Sequence, residues 1–169
     1  MHVKIILIMS KHIPKGGHTK KGKFKPQNLN KYVGNPDDIW FRSSWEYKFM
    51  IYCDSKKEVL KWGSEVITIP YYDKDGNKRR YIPDFYMETA DKNNEGLINK
   101  WLIEVKPFKE TYEPVIPKNI SEKKYKKLEY DLKTWWKNSH KWAFTIEWCK
   151  ERDMKFRLVT EKQLDNFKI

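Results

Sequence analysis

Cysteine is scarce in this chain. Cys53 and Cys149 are the only two in 169 residues, too far apart and wrongly spaced for a disulfide framework or a Cys-based metal site. Both fall in aromatic-rich stretches expected to be helical, where they read as buried, reduced thiols in a cytosolic setting. Long apolar runs are missing as well. Residues 3–9 are about half the length a membrane span requires, and no small-residue cleavage site follows them, which argues against a secretory signal. No membrane partner is expected, and Met9-Ser10 offers an alternative start. Acidic residues are absent from positions 1–35, which hold Lys4, Lys11, Lys15, Lys20, Lys21, Lys23, Lys25 and Lys31. These eight lysines supply +8 of a formal net charge of +12.

What is present is ample core material on a basic background. Hydrophobic residues make up 39% of the chain, with eight tryptophans, enough for one domain with a real core. The excess of Lys+Arg, 35, over Asp+Glu, 23, points to a polyanionic partner, most simply DNA. Residues 1–30 read as a flexible basic arm, broken by Pro14, Gly16, Gly17, Gly22 and Pro26, whose single-signed charge suits phosphate contact. Lys20, Lys21, Lys23 and Lys25, with Arg42 beyond them, are the candidate DNA-binding residues. Residues 31–169 read as one folded domain.

Within that domain the spacing of Trp45, Phe49 and Tyr52 predicts a helix over about 44–54. Ser43 and Glu46 fit its capping box. Residues 65–72 and 79–87 predict a hairpin around the turn at 73–77, and 101–106 a third strand, giving an α+β core with an antiparallel meander. Further on, Ser121 is a candidate N-cap for a helix to about 138, with Tyr125, Leu128, Leu132 and Trp135 on its apolar face. A separate helix is expected over 142–152 with Trp142, Ile146 and Cys149 inward. A fourth strand at 154–159 and a short capped helix starting at Thr160 and ending near 167 follow.

The chemistry concentrates in residues 81–107. Asp84 follows Pro83, and Glu104 and Lys106 sit in the apolar segment 101–107. Strand alternation puts Ile103 and Val105 on one face and Glu104 and Lys106 on the other. The pattern Asp/Glu-x-Lys is weak by itself, occurring six times here, beginning at Glu46, Asp54, Glu104, Glu122, Asp131 and Asp153. Only the Glu104 copy lies in a short apolar strand downstream of a Pro-Asp pair. The competing reading is a surface salt bridge on an open sheet face, which contributes little stability. On the catalytic reading, Asp84 and Glu104 are oxygen ligands for Mg2+, with Mn2+ as a substitute. Lys106 positions the attacking water and stabilises negative charge. Glu46 adds a carboxylate from the helix, a role compatible with capping.

Pro83-Asp84, Glu104-Val105-Lys106 and Glu46 resemble the motif of the PD-(D/E)xK nuclease superfamily. Longer blocks carry a closer resemblance: Lys25-Pro26-Gln27-Asn28-Leu29-Asn30-Lys31-Tyr32, Phe41-Arg42-Ser43-Ser44-Trp45-Glu46, Trp62-Gly63-Ser64-Glu65, Ile69-Pro70-Tyr71-Tyr72, Lys78-Arg79-Arg80-Tyr81 and Phe156-Arg157-Leu158-Val159-Thr160-Glu161. Together they are similar to the head-completion nucleases of T-even-like tailed phages over about 25–167. The resemblance implies a restriction-endonuclease-like core, with a mixed sheet of about four strands flanked by helices. It implies a metal-dependent DNA endonuclease acting in virion assembly after packaging, with Glu46, Asp84, Glu104 and Lys106 as the catalytic set. It also implies head, portal or neck proteins as partners, and a place in the host cytoplasm or on the virion. The alternatives are another nuclease on this core, of restriction, resolvase or transposase type, and a structural DNA-binding assembly factor that does not cut.

Overall fold

The computed structural model describes residues 21–166; Lys20 and the rest of the expected arm up to it lie outside the described residues. At the centre is strand β7, Ile98–Val105. It pairs antiparallel with β6, Phe85–Ala90, and parallel with β8, Lys155–Val159. Strand β3, Val59–Ser64, pairs antiparallel with β6 on its other side. The order β3-β6-β7-β8 makes a mixed four-stranded sheet. With the helices that cover it, this is the α+β core expected from the sequence.

Alternation along the strands sorts two apolar layers. Ile103 and Val105 of β7, Phe85 and Met87 of β6, Val59 and Trp62 of β3 and Val159 of β8 face one way. They pack on Phe49, Met50 and Cys53 of helix α1, Ser44–Ser55, and on Leu164 of helix α3, Glu161–Asn166. Leu102 faces the other way, against Trp142 and Cys149 of helix α2, Glu122–Lys150, and Ile69, Tyr71 and Tyr81 of a separate hairpin. That hairpin is β4, Ile69–Tyr72, paired with β5, Lys78–Tyr81. Both thiols are buried, and burial raises the pKa of each.

Four expectations are corrected. The stretch 79–87 is not one strand: it breaks at Ile82–Asp84, because Pro83 offers no N–H to a ladder, so β5 leaves the main sheet and β6 begins afresh. The hairpin therefore stands apart, and β3 takes the place beside β6 that the expected meander assigned to it. The helices expected over 121–138 and 142–152 are one 29-residue helix, since residues 138–142 contain neither glycine nor proline to stop it. Its buried positions are Asn138, Trp142, Thr145 and Cys149, spaced four, three and four residues apart, whereas Ile146 is 41% exposed. Finally, the packed chain begins before residue 31. Strand β1, Gly22–Lys23, pairs with β2, Trp40–Phe41. Phe24 joins the core, and buried Asp54 accepts the backbone N–H groups of Gln27 at 2.8 Å and Asn28 at 3.2 Å.

Candidate active site

Glu104 lies one residue from the C-terminal end of β7, beside Leu102 on the α2 face, and is only 2% exposed. The surface-salt-bridge reading is therefore excluded. An isolated buried carboxylate would cost several kcal/mol, and three donors offset that here. Tyr81 donates its phenol to Oε2 at 2.5 Å. Lys106 Nζ lies 3.1 Å and Lys141 Nζ 3.4 Å from Oε1. Strand alternation accounts for Lys106, two residues along on the same face. Lys141 arrives from α2, its ammonium 4.5 Å above the Tyr81 ring.

Asp84 stands just before β6. Its Oδ2 accepts the backbone N–H of Val105 at 2.7 Å, while its own carbonyl accepts Glu65 N–H. The carboxylate is thus fixed beside the residue that follows Glu104, and Oδ1 takes no hydrogen bond among the described residues. Burial and the neighbouring Glu104 charge push the Asp84 carboxyl up to about 8, against the pull of Val105 N–H and Lys106. Burial also lowers Lys141, helped by the positive charge of Lys106. At Lys106 burial acts downward but the charges of Glu104 and Asp84 prevail, so its pKa rises. Tyr81 is raised by burial and by Glu104, which keeps the shared proton on the phenol.

Glu46 takes the capping role. Its Oε2 accepts Arg42 N–H at 2.6 Å and its Oε1 the Ser43 hydroxyl at 3.0 Å, while Ser43 Oγ accepts Glu46 N–H at 3.1 Å. Both oxygens are occupied at the start of α1, and Glu46 reaches Asp84 only through its charge. Among the described residues, no three His, Cys, Asp or Glu side chains are grouped to hold a metal. The Asp84–Glu104 pair still fits Mg2+, which binds through one or two carboxylates plus waters and substrate phosphate. The free Oδ1 and the mutual repulsion that raises Asp84 are what a divalent cation would satisfy.

Of the expected DNA-binding residues, Lys21 and Lys25 are exposed. Lys23 lies 3.9 Å from Asp38 and over Trp40, and Arg42 is paired with Glu65. None of these touches Asp84 or Glu104. Sequence reasoning missed Tyr81 and Lys141. Tyr81 had a signal, three residues ahead of Asp84 in an otherwise polar strand. Lys141 had one only for a reader who kept α2 continuous, since it then falls on the inward side between Asn138 and Thr145.

The family model described as TnsA-like endonuclease N terminal matches residues 56–161. The chain belongs to that family. It is also 38% identical over 144 residues to the head completion nuclease of Enterobacteria phage T4, covering 85% of this chain and 92% of that protein. The likeness to phage head-completion nucleases expected from the sequence blocks is therefore shown. The TnsA-like match contains Tyr81, Asp84, Glu104, Lys106 and Lys141. Glu46 and Arg42 fall outside it, as does the whole of α1.

Proposed function

We propose that the chain is a metal-dependent DNA endonuclease that acts on phage DNA during head completion. The observation that carries this is the juxtaposition of Asp84 and Glu104 at the end of the central strands, with Lys106 alongside. The nuclease relatives support it. Asp84, through its free Oδ1, and Glu104 are the residues that would hold Mg2+ or Mn2+. When bound, the ion would acidify water and offset negative charge growing on the phosphate. Glu104 takes two donors on Oε1 and one on Oε2, and since each carboxylate oxygen has two lone pairs, Oε2 keeps one that the ion could take.

The protein's own groups do the rest. Val105 N–H aims Asp84, and the Tyr81 phenol aims Glu104. Lys106, paired with Glu104 and within the field of Asp84, orients the water and stabilises charge on the phosphate oxygens. Glu46 and Arg42 shape the start of α1 and add charge at the rim. In this reading the substrate is packaged DNA, met in the host cytoplasm on an assembling particle, with head, portal or neck proteins beside it.

The test is conversion of supercoiled plasmid with Mg2+ or Mn2+ against an EDTA control. Nicking or cutting by the wild type is expected, lowered at least about 100-fold in Glu104→Ala and Lys106→Ala. Wild-type protein that binds plasmid yet never cuts it with either metal would overturn the enzyme reading in favour of a structural DNA-binding factor.

A further inference from the structure

Beside the candidate active site, a cleft of about 980 Å³ runs between the β4–β5 hairpin and the middle of α2. Two of its walls are site residues, Tyr81 and Lys141, both bonded to Glu104. The other walls combine two features that the reactions of Asp84 and Glu104 do not use. One is aromatic. Trp136 is 60% exposed and stands edge-on to Trp135, centroids 5.3 Å apart. Tyr71 follows with His140 at 6.5 Å. The other is cationic. Lys74, Arg80 and Lys137 line the cleft without a carboxylate partner among the described residues, in contrast to Arg79, which Asp73 holds, and Lys133, which Glu129 holds.

The N-terminal half of α2 presents this surface without covering it. No residue of the helix before Asn138 is buried, although Tyr125, Tyr130 and Trp136 are among its side chains. A helix that leaves large aromatics in water beside unpaired lysines has a face suited to a partner that is both flat and anionic. Nucleic acid meets both conditions, but its form matters. In a duplex the base faces are covered by stacking, so exposed rings find only edges and backbone. In an unpaired strand each base offers a π face, and a basic groove with aromatic platforms is how such strands are held.

We infer that the cleft between the β4–β5 hairpin and α2 grips an unpaired segment of DNA, stacking a base on Trp136 and pairing phosphates with Arg80 and Lys137, and leads that strand to Glu104. The choice of DNA as the anion rests on the nuclease reading. On this inference the enzyme works where strands separate, at a frayed end, an overhang or a gap.

The experiment measures binding of a fluorescein-labelled 12-nucleotide oligo-dT by anisotropy in EDTA, with a blunt 12-base-pair duplex as competitor. Oligo-dT should bind more tightly than the duplex. Trp136→Ala should weaken oligo-dT binding at least about fivefold, the low end for loss of one stacked base, and change duplex binding less. Trp136→Phe should restore most of the affinity. Arg80→Ala with Lys137→Ala should reduce the slope of log affinity against log salt by about 1.4, at roughly 0.7 per single-strand phosphate. Equal oligo-dT binding by wild type and Trp136→Ala, or a duplex that binds more tightly than oligo-dT, overturns the inference. Plasmid cleavage separates the two claims. Wild type that cuts while Trp136→Ala binds normally defeats the cleft alone. Wild type that binds oligo-dT through Trp136 but cuts no DNA defeats the nuclease reading and leaves the cleft as a binding site.

Discussion

Replacing Tyr81 by phenylalanine removes one oxygen atom and isolates one interaction. The ring stays where it is, 5% exposed against Leu102 and Trp142, and the platform beneath Lys141 is kept. What disappears is the 2.5 Å hydrogen bond to Glu104 Oε2. That oxygen belongs to a carboxylate 2% exposed, whose other donors, Lys106 and Lys141, both reach Oε1. A hydrogen bond to a buried charged group contributes about 1.5–3 kcal/mol. For a chain of this length that corresponds to a fall of about 3–12 °C in melting temperature. Urea unfolding in EDTA measures the loss directly, and repeating Tyr81→Phe in a Glu104→Ala background closes a double-mutant cycle. There the cost should nearly vanish, because the acceptor is gone. Glu104 would also lose its aim, so plasmid nicking should slow roughly tenfold, the kinetic equivalent of about 1.4 kcal/mol. If Tyr81→Phe unfolds within about 0.5 kcal/mol of the wild type, or costs the same in both backgrounds, Tyr81 does not hold the Glu104 carboxylate and this account of the site is wrong.

Other perturbations probe the frame around the site. Asp54→Asn replaces one carboxylate oxygen by an NH2 group, which cannot accept, so either Gln27 N–H or Asn28 N–H loses its acceptor and unfolding should become about 1–3 kcal/mol easier; an unchanged urea midpoint would show that this tie is unimportant. At Gly63 an added Cβ would stand 2.7 Å from Val33 carbonyl oxygen and 2.8 Å from Val66 Cγ2, so Gly63→Ala should cost about 1–3 kcal/mol and speed proteolysis near Val33, whereas wild-type resistance would mean that the segment moves aside freely. Deleting residues 1–20 spares Phe24 in the core and removes four lysines, so the slope of log duplex affinity against log salt should fall by up to about 3.6, at roughly 0.9 per contact; an unchanged slope makes those lysines inert.

Local sequence was a good guide wherever a local interaction decides the outcome. Ser43 accepts Glu46 N–H, and Gln163 reaches back to accept Thr160 N–H, each pair meeting at the helix start that its spacing predicts, because a capping box closes within four residues. Glu104 and Lys106 meet because strand alternation alone puts them on one face. Where the outcome depended on distant partners, local reading failed. The strand at 79–87 breaks because Pro83 lets β5 pair only with β4, leaving β6 for β3 and β7. Ile146 looked inward by hydrophobicity, yet the continuous axis of α2 turns Thr145 in instead.

By itself, then, the sequence determined the charge, the cap positions, the paired carboxylates with their lysine and, through long similar blocks, the kinship with phage nucleases. Only the tertiary structure decided that Glu104 is buried, that Tyr81 and Lys141 share it, and that Glu46 spends both oxygens on its own helix start. It alone assembled the aromatic, basic cleft from a hairpin ending at Tyr81 and a helix beginning at Glu122. The physical reason is range: periodicity and capping act over a few residues, but the burial of a carboxylate depends on side chains that only the packed chain brings together.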